Sequence, residues 1–90
     1  MILEWNEEKR QLTLEKRSLD FADAARVFDG DVLDIEDSRK DYGECRIVTF
    51  GHLNGRMITI TWTQRGDKRR IISMRKANER EIEKYSPFFR

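Results

Sequence analysis

The stretch RIVTFGHLNGRMITITWTQRGDKRRIISMR, residues 46–75, decides the fold. At its centre Asn54-Gly55 separates two runs rich in β-branched and aromatic residues. A tight hairpin needs positive φ at both central residues, and Asn and Gly reach it at least cost. The pair predicts strands over 46–53 and 56–63. Gly66-Asp67 turns the chain again, into a third strand over 69–75. The middle of the chain is therefore a three-stranded meander.

The turns also set the register. If each is two residues long, Thr63 lies opposite Arg46 on one side and Arg70 on the other. Residues directly opposite share a face. Two arginines then flank a threonine at one end of the sheet, with Arg65 and Lys68 at the adjoining turn. Ile47, Trp62 and Ile71 fall on the other face with Ile58 and Ile60, and supply core. A slip of one residue would exchange the two faces.

Working outward, residues 1–5 read as a short strand. Asn6 is a good helix N-cap, and Glu7 and Glu8 suit the positive end of a helix running to about Arg17. Ser18-Leu19 breaks it. Asp20 caps a second helix, whose Phe21, Ala24, Ala25 and Phe28 share one face, with Gly30 at its end. A short strand over 32–35 and an acidic exposed loop over 36–44 lead into the meander. Beyond it, Asn78 with Glu81 makes a capping-box start for a last helix through Tyr85, stopped by Pro87. The order, two helices between strands and then a meander and a helix, is α+β.

Ninety residues suit one domain, 1–90,. The chain is 38% hydrophobic and 39% charged, yet its five Phe, two Trp and two Tyr exclude a disordered segment,. Cys45 is the single cysteine, so neither an internal disulfide nor a Cys-based zinc site can form, as expected in a reducing compartment. The first residues lack a signal peptide's basic and apolar regions. No apolar run approaches the roughly 20 residues that cross a bilayer. The expectation is a cytoplasmic protein without membrane contact.

The net charge of +1 hides an asymmetry. Residues 1–45 hold seven Lys/Arg against thirteen Asp/Glu, and residues 46–90 hold eleven against four. A basic face that meets phosphates accounts for this, as do two solvated faces that pair across the fold.

Elimination narrows the chemistry. His52 is the only histidine, so no His pair, Ser-His-Asp triad or Cys-His pair is expected, and a lone histidine near a hairpin turn is commonly exposed or packed. The glycines are scattered at turns and form no phosphate loop. Asp29, Asp31 and Asp34 fit no calcium-loop spacing and blunt an edge strand instead. Cys45 in a strand reads as a small core residue. Arginine and lysine chemistry remains. RNA can be cleaved by its own 2′-OH without a metal or cofactor, if a base takes the hydroxyl proton and preplaced cations stabilise the phosphorane. Arginine suits the second task through its planar fork and permanent charge, which also bars it from being the base. Lys16, Glu44, Glu81 and Tyr85 are the candidate bases, and spacing does not choose among them.

These residues resemble the BrnT family, the toxin half of bacterial type II toxin–antitoxin pairs. The likeness covers nearly the whole chain. It takes in Trp5-Asn6 with Lys9, Phe21 with Ala24-Ala25, Val27-Phe28-Asp29, Glu44 with Arg46, Gly51, Gly55-Arg56 and Thr63-Gln64-Arg65-Gly66-Asp67. Its most specific part is Arg70-Ile71-Ile72-Ser73-Met74-Arg75-Lys76-Ala77, followed by Arg80-Glu81 and Tyr85. The resemblance implies a RelE-like fold, an antiparallel sheet with two N-terminal helices and a C-terminal helix. It implies metal-independent RNA cleavage and a cognate BrnA-like antitoxin, through which the hetero-oligomer binds operator DNA. Carried over by position, it assigns catalysis to Arg65, Arg75 and Arg80, and RNA binding to Lys16, Arg46 and Arg70. The chain departs from the family where it has Thr13 in place of the usual Asn, and Lys16-Arg17-Ser18 in place of Lys-His-Gly. Arg17 replaces a histidine's charge without its proton transfer. That departure opens a second function, a catalytically weak or inactive partner that keeps only antitoxin binding and co-repression.

Overall fold

The computed structural model describes residues 1–89. The chain runs through β1 (Ile2–Trp5), α1 (Glu7–Arg17), a 3-10 turn (Phe21–Asp23) leading into α2 (Ala24–Phe28), and β2 (Leu33–Glu36). It continues with β3 (Ile47–Leu53), β4 (Arg56–Arg65), β5 (Lys68–Lys76), α3 (Glu79–Tyr85) and a closing 3-10 turn (Ser86–Phe89). The protein is α+β, as its sequence predicts.

Turn chemistry sets the meander. Asn54 and Gly55 adopt φ of 52° and 78° and pair Leu53 with Arg56. Gly66, at φ 61°, closes the second turn with Arg65 opposite Lys68, which carries β4 two residues past its expected end. Ile47 pairs with Trp62, which pairs with Ile71, and Thr63 pairs with Arg70. The register expected from two-residue turns is the one that forms.

The sheet has five strands in the order β1-β5-β4-β3-β2. It is mixed, and the expectation of an antiparallel sheet is corrected here. β1 runs parallel to β5, from Ile2 opposite Lys68 to Trp5 opposite Ile71. Short turns force antiparallel neighbours. β1 is joined to its partner by most of the chain, so no turn dictates its direction.

Asn6 caps α1 by accepting from the Lys9 amide at 3.0 Å. Asp20 caps the next turn by accepting from the Ala22 amide at 2.9 Å. That turn begins as a 3-10 helix, with three residues per turn, so the buried row is Phe21, Ala24 and Val27. Ala25, expected on the buried face, is exposed. This row packs on one face of the sheet with Leu19, Leu53, Ile58, Ile60, Trp62, Ile71 and Met74. Buried Thr49 accepts from Trp62 Nε1 at 2.7 Å and donates to Asp34 at 2.6 Å. On the opposite face a smaller cluster joins Phe50, Met57 and Ala77 to Tyr85 and Phe89. Among the described residues no helix is long and apolar enough to cross a membrane.

Candidate functional site

Strict alternation from Arg70 would send Ser73 and Arg75 into the core face. They escape because the β4–β5 register shifts by one residue. Thr61 pairs with Ser73 and Trp62 with Ile71, leaving Ile72 as the extra residue of a β-bulge. Arg70, Ser73 and Arg75 thereby share a face with Thr63, Thr61 and Thr59, their partners on β4.

On that face lies a groove of about 320 Å³. Val48, Phe50, Thr61, Ser73 and Arg75 come from the sheet, Glu81 and Tyr85 from α3, and Asp37 and Arg39 from the loop after β2. Arg75 grips Glu81 with two hydrogen bonds, Nη1 to Oε1 at 2.7 Å and Nη2 to Oε2 at 2.8 Å. Glu81 also completes the capping box of α3 by accepting from the Asn78 amide at 2.9 Å. The bonds from Arg75 hold the Glu81 carboxyl below its ordinary range, and Glu81 in turn raises Arg75. Tyr85 lies against Phe50, ring centroids 4.3 Å apart.

Across the groove, the Asp37 side chain is 2% exposed and that of Arg39 is 80% exposed. Asp37 accepts from Arg39 Nε and Nη2, both at 2.9 Å, from the Arg39 amide at 3.2 Å and from the Tyr42 hydroxyl at 3.4 Å. The Arg39 guanidinium pulls the Asp37 carboxyl down to about 2.

The other expected site residues are distributed more widely. At the far end of the same face Arg70 lies 3.7 Å from Glu4. Glu44 joins Arg46, at 3.1 Å, to Arg65, at 3.3 Å, and Arg46 stacks 3.9 Å above the Tyr42 ring. The bonds to Arg46 and then Arg65 lower the Glu44 carboxyl. Arg80 is exposed on the first turn of α3, outside the groove lining. Lys16 lines a separate pocket of about 180 Å³ with Lys9, Leu12, Thr13, Arg17 and Ile72, and Ser73 borders both pockets. Arg17 Nη1 donates to the Met74 carbonyl at 3.0 Å, at the part of β5 beyond its pairing with β1. His52 is exposed and meets Phe89 edge-on at 4.9 Å.

The expected basic face is thus interleaved with carboxylates, which compensate Arg46, Arg65, Arg70 and Arg75. Of the four candidate bases, the groove brings Glu81 and Tyr85 to Arg75 and leaves Glu44 and Lys16 elsewhere. Asp37 and Arg39 were not singled out from the sequence, where they read as part of an acidic loop. Their spacing was a usable signal, since Asp37-x-Arg39 repeats the spacing of Glu44-x-Arg46 and both form ion pairs.

A family model described as the ribonuclease toxin, BrnT, of type II toxin–antitoxin systems matches residues 5–81. No curated protein matches the chain.

Proposed function

Since this chain belongs to the BrnT family of ribonuclease toxins of type II toxin–antitoxin systems, we propose that it cleaves RNA without a metal in the groove of Arg75, Glu81 and Tyr85. The observation that carries this reading is the two-point Arg75–Glu81 pair, set beside Tyr85 on the open face of the sheet. An incoming phosphodiester competes with Glu81 for the Arg75 fork, whose geometry fits phosphate as well as carboxylate. Once Arg75 turns to the phosphate, Glu81 loses the charge that kept its proton affinity low. It then takes the proton of the 2′-OH as that oxygen attacks phosphorus. Arg75 stabilises the charge of the phosphorane, and the Tyr85 phenol protonates the departing 5′-oxygen. Removing one such preplaced group costs about 10²–10³ in rate.

Arg65, Arg46 and Arg70 hold the strand at the other end of the face. Thr59 and Thr63, opposite Arg75 and Arg70, are four positions apart, roughly 13 Å at about 3.3 Å per residue. Arg80 and Lys16 supply outlying positive charge. The antitoxin partner that the family implies is BrnA-like in this proposal, covers the groove and carries the DNA-binding part. The RelE-like reading of the fold belongs to the same proposal.

The test is cleavage in excess EDTA. Products ending in 2′,3′-cyclic or 3′-phosphate are expected, with loss of cleavage in Arg75→Ala. Activity abolished by chelation and restored by magnesium would overturn the mechanism.

One observation favours a second reading, a weak or inactive toxin that keeps antitoxin binding. Arg17 is engaged with the Met74 carbonyl and has no acceptor atom with which to take a proton.

A further inference from the structure

We propose that Arg39 is a second phosphate-binding cation of the groove, and that buried Asp37 is the residue that aims it. The inference rests on the reading of the groove as an RNA site and adds a residue from a loop that no part of that reading uses. Arg39 and Arg75 line the same groove from different elements. Each is fixed by its own carboxylate, Asp37 for Arg39 and Glu81 for Arg75. The two cations feel each other, since the charge of Arg39 opposes that of Arg75. An anion between them relieves that repulsion and gains a charge-assisted contact from each guanidinium, from the open edge of Arg39 and from Arg75 once it leaves Glu81.

The burial is lopsided. Burying a carboxylate is costly unless it is held by donors, and Asp37 is held by the Arg39 side chain, the Arg39 amide and Tyr42. Those bonds use Nε and Nη2 of Arg39. Among the described residues Nη1 has no acceptor, and the side chain is 80% exposed. A guanidinium anchored on one edge and open on the other is preorganised to receive a phosphate oxygen. Asp37 touches no substrate in this scheme and acts as a positioning residue.

Binding of a short, labelled, single-stranded 2′-O-methyl RNA, which cannot be cleaved through its 2′ oxygen, tests this without relying on turnover. Arg39→Ala is expected to bind about tenfold more weakly at low salt, the loss of one charge-assisted contact. The slope of log affinity against log salt should fall by about 0.7, one phosphate contact on a single strand. Asp37→Asn leaves the charge but frees the arm, so the slope should hold while affinity drops. If either single variant does not fold, the double variant Asp37→Asn/Arg39→Ala, which leaves no buried charge unpaired, decides in the place of Arg39→Ala. Unchanged affinity and slope in Arg39→Ala overturn the inference. Arg75→Ala measured alongside separates the two failures. Weakening by Arg75→Ala alone removes Arg39 and keeps the groove, and weakening by neither removes both. Weakening by Arg39→Ala, with or without Arg75→Ala, supports the inference.

Discussion

Glu81 Oε1 accepts two hydrogen bonds at once, 2.7 Å from Arg75 Nη1 and 2.9 Å from the Asn78 amide. One oxygen thereby joins the start of α3 to the end of β5, and ties a structural role to a proposed catalytic one. The two roles separate by mutation. Glu81→Ala loses the capping box as well as the ion pair and is expected to cost about 1–2 kcal/mol. That corresponds to a fall in Tm of roughly 4–8 °C for each kcal/mol in a domain of this size. Arg75→Ala leaves the cap intact, and its side chain is 43% exposed, so its cost should stay under about 1 kcal/mol. Cleavage should fall in both. Equal Tm losses would show that the cap contributes nothing beyond the ion pair.

Acid should destabilise the fold within a defined window. The carboxyls of Asp20, Glu44 and Glu81 are held below their ordinary values by Arg10, Arg46 and Arg75, and Asp37 is held at about 2 by Arg39. Each binds its proton more weakly folded than unfolded, so the unfolded chain takes up more protons as pH falls. The stabilisation is complete above the ordinary glutamate value of 4.5 and is lost progressively towards 2. Thermal melts should show a flat Tm above pH 4.5 with respect to these groups, and a decline below it. Asp37→Asn should shrink the decline at its acid end, and an unchanged profile would remove Asp37 from the account.

Gly51 is fixed by close approach. A Cβ there would sit 2.6 Å from Val27 Cγ1 and 3.3 Å from Val32 Cγ1. Val27 is fully buried, so α2 would have to move off β3. Gly51→Ala should cost about 1–3 kcal/mol, the range for overpacking. Gly55→Ala makes a useful contrast, because nothing lies near its Cβ and its loss comes from the positive φ alone. A Gly51→Ala protein as stable as the parent would mean that α2 is not packed against β3 as described.

What was legible in the sequence followed the range of the interactions. Asn54-Gly55 and Gly66-Asp67 act over two residues, and the pairings they dictate, Ile47 with Trp62 and Thr63 with Arg70, were correctly expected. The bulge at Ile72 was not expected. The alternation does break after Arg70, since Ile71-Ile72 sets two apolar residues in succession and leaves Ser73 and Arg75 out of phase, but such a doublet reads equally well as an ordinary buried pair. That one residue puts Ser73 and Arg75 on the groove face. The parallel direction of β1 was equally hidden, being a tertiary choice made against β5. The arginines of the candidate site were visible as charge, but Arg70 finds Glu4 and Arg65 finds Glu44 in distant parts of the chain. A basic half in the sequence therefore becomes a face of compensated pairs.

The antitoxin proposal predicts a salt-sensitive complex. Arg80 is exposed on the first turn of α3, the helix that borders the groove, where a partner covering the groove would meet it. Charge reversal, Arg80→Glu, should weaken an acidic partner segment, and the weakening should shrink at high salt. Calorimetric titration showing full affinity for the reversed protein would move the partner elsewhere. The exposed Phe88 and the free edge of β2 are the remaining surfaces to try.

Arg17 and Ser18 stand where the resemblance to the BrnT family leads one to expect His-Gly. Ser18 caps the end of α1 at φ 57° and ψ 33°, its amide bonded to the Leu14 carbonyl. An L-residue in that left-handed conformation costs about 1–2 kcal/mol, which glycine avoids at the expense of about 0.5–1 kcal/mol of chain entropy. Ser18→Gly alone should therefore stabilise by about 0.5–1 kcal/mol, read as a rise in Tm. Arg17→His removes the bond to the Met74 carbonyl and loosens α1 from β5, so the double variant should melt close to the parent. It also restores a group that can transfer a proton near neutral pH. If the parent is a weak toxin for want of that group, the double variant should cleave RNA faster by about 10²-fold, the lower end of general acid–base catalysis. A parent that already cleaves as fast as the double variant rules out the inactive-partner reading and leaves Arg17 as an anchor for α1.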